Sequence, residues 1–382
     1  MKSVFKDLSK NRRHLDYGLL LAVIICSAVS SVLIYSIAEN HLIEKVGSSY
    51  YKTQAFSAVL GLCVAVIISF FDYKKLAKLW FLYAPAALFL VALTFTGLGH
   101  KRADDQAWLN LGFVQFQPSE VLKLAFILSF AYHLSKVEEN MNKPIHMALL
   151  CLHGLVPIGI VGLQGDYGTA IVFVFIFAAM IISADISWKY LVAAPILLAV
   201  ALIFAWNFIL GYDHKRRIEV LIHPGTDPEG LEYQQNLGLA ALNNGKVFGI
   251  GLSNKDSKYI AVPEMHNDFI LTYAGQVFGF VGAIGLLAIL AYICLKILAD
   301  SRAAKDNLGS FICVGIFGMF LAHCIMNIGM VLKVMPVIGV PLPFLSAGGT
   351  AMLSMYVAVG LVLSTYTHNT KKYNVFYEDN EE

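Results

Sequence analysis

Charge is what this sequence has least of. Lys, Arg, Asp and Glu make up 14% of the 382 residues against 58% hydrophobic ones, and the mean hydropathy is +0.66. That balance excludes an ordinary soluble domain, in which about a quarter of residues are charged. With a net charge of only +2 and no basic run interleaved with aromatics, nothing points to a nucleic-acid partner. P-loop, GxGxxG and HExxH patterns are missing too, so ATP, a dinucleotide and zinc hydrolysis have no support. The six cysteines (Cys26, Cys63, Cys151, Cys294, Cys313, Cys324) lie in apolar runs without CxxC spacing and read as small core residues, with no disulfide or metal signal. No repeat supports an inverted-repeat transporter.

Long apolar runs are abundant. Runs near the roughly 20 residues that cross about 30 Å of hydrocarbon recur at 17–38, 54–71, 79–98, 119–135, 146–163, 167–184, 188–209, 269–297, 310–332 and 345–366. The pattern predicts an all-α polytopic membrane protein, a single domain over 1–382 with ten transmembrane helices. A large external loop, 210–267, separates helices 7 and 8. Lys and Arg crowd one set of loops, beginning with Lys2, Lys6, Lys10, Arg12 and Arg13, while Lys45, Lys52, Lys101, Arg102 and Lys333 are those of the short loops opposite. The positive-inside rule then places both termini, 1–16 and 367–382, in the cytoplasm. The first apolar run is too long for a secretory signal, no small-residue cleavage site follows it, and it reads as the first span.

Four polar clusters meet on the external side of this topology. Trp108-Leu109-Asn110-Leu111-Gly112 leads to Phe116-Gln117-Pro118-Ser119-Glu120, where Pro118 and Ser119 suit a first helical turn and Glu120 complements the helix dipole. Lys123 is three residues on, on the same face, and either pairs with Glu120 or meets an anionic ligand. Gln164-Gly165-Asp166-Tyr167-Gly168-Thr169 is a tight corner in which Asp166 either caps a helix or binds a ligand. The long loop carries Lys215-Arg216-Arg217 and a flexible glycine-rich stretch at Gly245, Gly249 and Gly251. It ends in Pro263-Glu264-Met265-His266-Asn267-Asp268-Phe269, whose Asp268 is the best candidate for catalysis, ahead of His266. The fourth cluster, Pro336 to Gly349 with Ser346, reads as a re-entrant turn or as the lining of a cavity for a lipid substrate.

At these residues the chain resembles the shape, elongation, division and sporulation (SEDS) family of RodA, FtsW and SpoVE. The resemblance runs over 14–368 and rests on Phe116-Gln117-Pro118-Ser119-Glu120 with Lys123, and on Asp166 with Gly168-Thr169. It continues in Pro263-Glu264 with His266 and Asp268-Phe269, Asn327-Ile328-Gly329-Met330, and Gly339-Val340-Pro341-Leu342-Pro343-Phe344 with Ser346-Gly348-Gly349. The Pro-Leu-Pro-Phe form and Asp-Pro-Glu-Gly at 227–230 lean to the RodA branch. The resemblance implies a peptidoglycan glycosyltransferase that polymerises lipid II at the outer face of the bacterial cytoplasmic membrane, for cell shape, elongation, division or sporulation. It implies a ten-helix fold, an undecaprenyl pyrophosphate-linked glycan, membrane lipids and a class B penicillin-binding protein transpeptidase as partners, and Asp268 as the catalytic carboxylate. Arg217 matches the family's arginine near the start of the long loop. Substrate contacts are expected from Lys123, Glu120, Trp108, Arg217, Asp166 and Ser346. No metal ligands stand out, although a divalent cation, Mg or Mn, suits a pyrophosphate leaving group.

The chain departs from the family pattern at Ala107, Leu237-Gly238, Gln276-Val277, Lys333 and Ala347. Lys333, where glycine is usual, is either a mobile cation replacing the arginine missing at Ala107 or a surface anchor. These departures keep a non-catalytic scaffold for the transpeptidase as an alternative. A lipid II flippase is the other, though no chain of buried acids suggests a coupling site.

Overall fold

The computed structural model describes residues 15–44, 46–102, 105–110, 112, 115–252 and 259–368. The expected cytoplasmic ends, apart from residues 15, 16, 367 and 368, lie outside the described residues, as do Lys45 and Leu111.

Apolar runs become helices whose ends are set by carboxylates and prolines. Helix α1 (Tyr17–Glu39) is capped by Asp16, which accepts hydrogen bonds from the N–H groups of Gly18 and Leu19 at 3.1 and 3.2 Å. It is followed by α2 (Ser48–Ser69), the short α3 (Tyr73–Lys78) and α4 (Trp80–Ala92). Helices α5 (Pro118–Val137) and α6 (Pro144–Leu163) each begin on a proline, whose missing N–H costs nothing in a first turn. Then come α7 (Tyr167–Ile182) and α8 (Trp188–Phe204), which ends in a π-helical turn, Ala205–Ile209. The last three are α11 (Ile270–Arg302), α12 (Asn307–Val331), capped by Asp306, and α13 (Gly349–Thr367).

Among the described residues, seven helices are long and apolar enough to cross a membrane: Tyr17–Glu39, Ser48–Ser69, Pro144–Leu163, Trp188–Ile209, Ile270–Arg302, Asn307–Val331 and Gly349–Thr367. Trp80–Phe95 and Tyr167–Ile182 are apolar but shorter. Helix α12 is the most enclosed of the seven, packed against α5, α7, α11 and α13, whereas no residue of α8 is buried. Cys63 is exposed on α2 and Cys151 and Cys324 are half-buried, so only Cys26, Cys294 and Cys313 are the core residues expected of all six.

Three features depart from the expected all-helical chain with one long loop. Strands β1 (Gly99–Arg102), β2 (Asp105–Asn110) and β3 (Gln115–Phe116) form a small antiparallel sheet, with His100 opposite Trp108 and Leu109 opposite Phe116. The 210–267 segment contains two helices, α9 (Tyr212–Ile222) and α10 (Tyr233–Asn244). Finally, the glycine stretch is an ordered graft. Helix α11 breaks at Gly279 (φ 69°, ψ −171°), and residues 246–251 supply the hydrogen bonds lost there. Phe280 N–H donates to Lys246 O at 2.8 Å, Val281 N–H to Val247 O at 3.1 Å, and Ile250 and Gly251 N–H to Gln276 O and Val277 O, both at 3.0 Å. A Cβ on Gly279 would stand 2.3 Å from Gly249 N and one on Gly249 2.1 Å from Val277 O. Close approach, with no demand for flexibility, therefore requires these glycines.

Candidate functional site

Asp268 stands at the end of a run of turns entering α11. Buried Met265 and Phe269 anchor the run on either side. Two contacts fix its backbone: Asn327 Nδ2 of α12 donates to Asp268 O at 2.7 Å, and Ser346 Oγ donates to Asn267 O at 2.7 Å. The carboxylate itself is half-buried and turns toward Gly339 (φ +63°), where an added Cβ would be 3.5 Å from Asp268 Oδ2.

The non-helical segment facing Asp268, residues 335–348, is held carbonyl by carbonyl. Gln235 of α10 donates to Met335 O at 2.8 Å and Arg217 of α9 to Val337 O at 3.2 Å. Asn327 donates to Val340 O at 2.8 Å, and His323 Nδ1 lies 2.9 Å from Pro341 O. Ser30 takes Leu345 O at 2.5 Å and Gln54 takes Ser346 O at 3.0 Å. Irregular backbone deep among apolar helices is tolerated where its polar groups find such partners. Ser346 belongs to this fastening as well, its Oγ accepting from Leu342 N–H at 2.8 Å.

Glu120 and Lys123 lie in the bundle, 3% and 1% exposed. Lys123 Nζ is 2.9 Å from Glu120 Oε1 and 3.1 Å from His323 Nε2, and Ser354 of α13 donates to Glu120 Oε2. Because Nδ1 of His323 faces a carbonyl, it carries the proton, leaving Nε2 to accept from the ammonium. His323 and Asn327 are four residues apart on one face of α12, so this face ties the Lys123 network and the Asp268 backbone to adjoining carbonyls of one segment.

Arg217 lines a cleft of ≈ 250 Å³ with Tyr233, Gln234, Gln235, Pro263 and Val337. Pro263 opens the turn run that leads to Asp268, so the guanidinium sits at the same segment as the carboxylate. The corner that holds Asp166 packs on residues 335–348 as well: a Cβ on Gly168 would stand 2.6 Å from Ile338 O and 2.9 Å from Val340 Cγ2. Asp166 caps α7, accepting from Thr169 N–H at 2.9 Å and from Gln117 Nε2 at 2.9 Å; burial pushes its carboxyl up, against the pull of these donors. Trp108 lies in β2, whose Gln106 N–H donates to Gln164 O at 3.0 Å. This docks the sheet onto the corner that Asp166 caps.

His323 stands in no motif and Asn327 only within Asn327-Ile328-Gly329-Met330; a polar side chain inside the apolar run 310–332 is the signal for both. Gln235, in a polar stretch, carries no such signal.

The departures acquire physical roles. Gln276 uses both ends of its amide, accepting from Ile260 N–H at 2.7 Å and donating to Ile260 O at 3.2 Å, which an ionised glutamate, the residue of the resembled pattern here, cannot do. Gly238 lets α10 lie against Phe269 and Thr272, within 3.2–3.3 Å of where a Cβ would be. Ala107 is buried, and Ala347 N–H donates to His266 O at 2.9 Å. Lys333 adopts a left-handed conformation (φ 58°) and reaches Glu232 and Asn236.

A mostly helical protein with span-length apolar helices packed around a kinked, polar-faced core, and a carboxylate beside an irregular segment, is the class this geometry defines. Residues 16–371 match the model of the FtsW, RodA and SpoVE family of cell cycle proteins, and the chain belongs to that family. It is 27% identical to the probable peptidoglycan glycosyltransferase FtsW of Bacillus subtilis, covering 96% of this chain and 95% of that one. Identity to the peptidoglycan glycosyltransferase MrdB of Escherichia coli K12 is 29%, over 93% and 94% of the two chains. Among solved structures, a chain from a peptidoglycan synthase complex that coordinates polymerization and crosslinking superposes with a TM-score of 0.78 at 26% identity, covering 94% of this chain and 99% of that one. The rod shape determining protein RodA of Thermus thermophilus gives a TM-score of 0.69 at 25% identity, covering 94% and 98%.

Proposed function

We propose that this protein is a peptidoglycan glycosyltransferase that polymerises lipid II at the outer face of the cytoplasmic membrane through ten spans, with both termini inside. The observation that carries the reading is half-buried Asp268, its carbonyl held by Asn327 and that of Asn267 by Ser346, with its carboxylate oxygen turned to Gly339. The hydroxyl at position 4 of an acceptor sugar attacks the anomeric carbon of a lipid-linked sugar. As the new C–O bond forms, the bond to the polyprenyl pyrophosphate breaks, and Asp268 takes the hydroxyl proton. One carboxylate at the reacting carbon suits a single inverting displacement. Arg217, beside the same segment, offers charge-assisted donors to the departing pyrophosphate. Lys123 and Glu120 act from behind, holding His323 and hence the Pro341 carbonyl.

Among the described residues no three His, Cys, Asp or Glu side chains converge as a metal site. A divalent cation carried on the pyrophosphate leaving group would need only one or two carboxylates from the protein. A class B transpeptidase partner is supported by the similar fold in a complex that joins polymerization to crosslinking.

Purified full-length protein, assayed for glycan strands from lipid II with and without a class B partner, tests the reading. Polymer is expected, and Asp268→Asn is expected to reduce its rate by roughly 10² to 10⁴ while folded protein is retained. Wild-type turnover in the Asn variant would remove Asp268 from catalysis. Absence of polymer under every condition would leave transport or scaffolding.

A further inference from the structure

We infer that Lys333 and Glu232 form a positioning clasp that ties α10 across the exit of α12 and sets residues 335–340 opposite Asp268. The inference rests on the glycosyltransferase reading for its activity readout. Lysine at φ 58° occupies a conformation that glycine takes freely and that L-residues adopt only against a steric penalty. Such strain persists where the surroundings hold the residue in place, and here they do. Lys333 Nζ donates to Glu232 Oε2 and, at 2.9 Å, to Asn236 Oδ1. The lysine side chain is only 19% exposed, too enclosed for a headgroup anchor or a mobile cation.

Glu232 is 1% exposed and fully engaged. One oxygen accepts from Gly225 N–H at 2.7 Å and Asp227 N–H at 3.3 Å, while the other takes Lys333. The hydrogen bond from Lys333 is the main cause holding its carboxyl below the usual range. One carboxylate thus joins the turn before α10, the start of α10 and the end of α12. Three residues further along α10, Gln235 donates to Met330 O and Met335 O, both at 2.8 Å, bracketing Lys333. Beyond Met335 the chain passes Val337, held by Arg217, and reaches Gly339 facing Asp268. Loosening the clasp frees the root of the segment that sets the gap at the carboxylate.

The test compares Lys333→Met, Glu232→Gln and the double variant, full-length and purified as folded monodisperse protein, by steady-state polymerisation of lipid II. A positioning role lowers kcat by about ten- to a hundredfold while KM changes less than about threefold, and the double variant is no worse than the worse single one. Lys333→Gly, which relieves the strain but removes the pair, loses kcat as well. Wild-type kcat in Lys333→Met, or additive losses in the double variant, overturns the clasp. A second readout does not need activity: spin labels at Ala240 and Val334, both exposed, report the distance from α10 to the α12 exit. A narrow distribution in wild type that broadens in the double variant supports the clasp even if no polymer forms, in which case the glycosyltransferase reading alone fails. An unchanged distribution overturns the clasp.

Discussion

A Cβ built on Gly339 would stand 3.5 Å from Asp268 Oδ2, so the space in front of the carboxylate exists because residue 339 has no side chain. Gly339→Ala would impose a left-handed conformation on alanine, at about 1–2 kcal/mol, and occupy the place where an acceptor hydroxyl must come within about 2.6–3.2 Å of the base. Turnover is expected to fall tenfold or more, with yield of folded protein nearly unchanged. Polymerisation rates of the purified variant check this, and a wild-type rate would show that substrate approaches from another side.

Lys123 and Glu120 make a different prediction. Both are buried, and removing one partner of a buried pair typically costs about 3–5 kcal/mol because the other charge is stranded. Lys123→Met is expected to lower the unfolding temperature clearly, and Glu120→Gln with Lys123→Met to recover most of the loss. Thermal unfolding in detergent decides; a single variant as stable as wild type would mean that Glu120 does not depend on the ammonium.

At the opposite end of the bundle, Lys296 Nζ lies 2.8 Å from Asp16 Oδ2 and 3.5 Å from Asp300 Oδ1, with its ammonium 5.7 Å from the centre of the Tyr366 ring. Two buried carboxylates share one ammonium. Asp300→Asn removes the surplus charge and is expected to leave the unfolding temperature unchanged or raise it, whereas Lys296→Met lowers it. The reverse order in a melting comparison would contradict this charge count.

Glu232 gives the clasp a pH dependence of definite sign. Its folded pKa is lowered, chiefly by the hydrogen bond from Lys333, so the folded state binds fewer protons than the unfolded one. Its contribution is complete above the ordinary glutamate value near about 4.3 and is lost as pH falls through the lowered folded value. The label distance between positions 240 and 334 is expected to broaden on acidification through that range. In Glu232→Gln it is expected to be broad already and insensitive to pH; a response equal to that of wild type would assign the titration to another group.

Much of this was legible in the chain because it is local. Run length and apolar content decide where helices form, and Asp166 is legible as a possible cap because capping is a matter of adjacent residues. Asp268 was conspicuous as a carboxylate where a polar stretch meets an apolar run. By contrast, α10 is hidden because a polar stretch without an apolar face gives little signal of its own, α9 is legible only through its amphipathic face, and the break at Gly279 is invisible inside an unbroken apolar run. The pairing of Lys333 with Glu232 spans 101 residues and that of Lys123 with His323 spans 200. No local pattern distinguishes such pairs from solvated or snorkelling charges. The sequence by itself determined which residues must leave water and which carboxylate stands at the boundary. Only the tertiary structure decided which buried polar groups satisfy one another, because desolvation makes every such group costly until the fold supplies its partner.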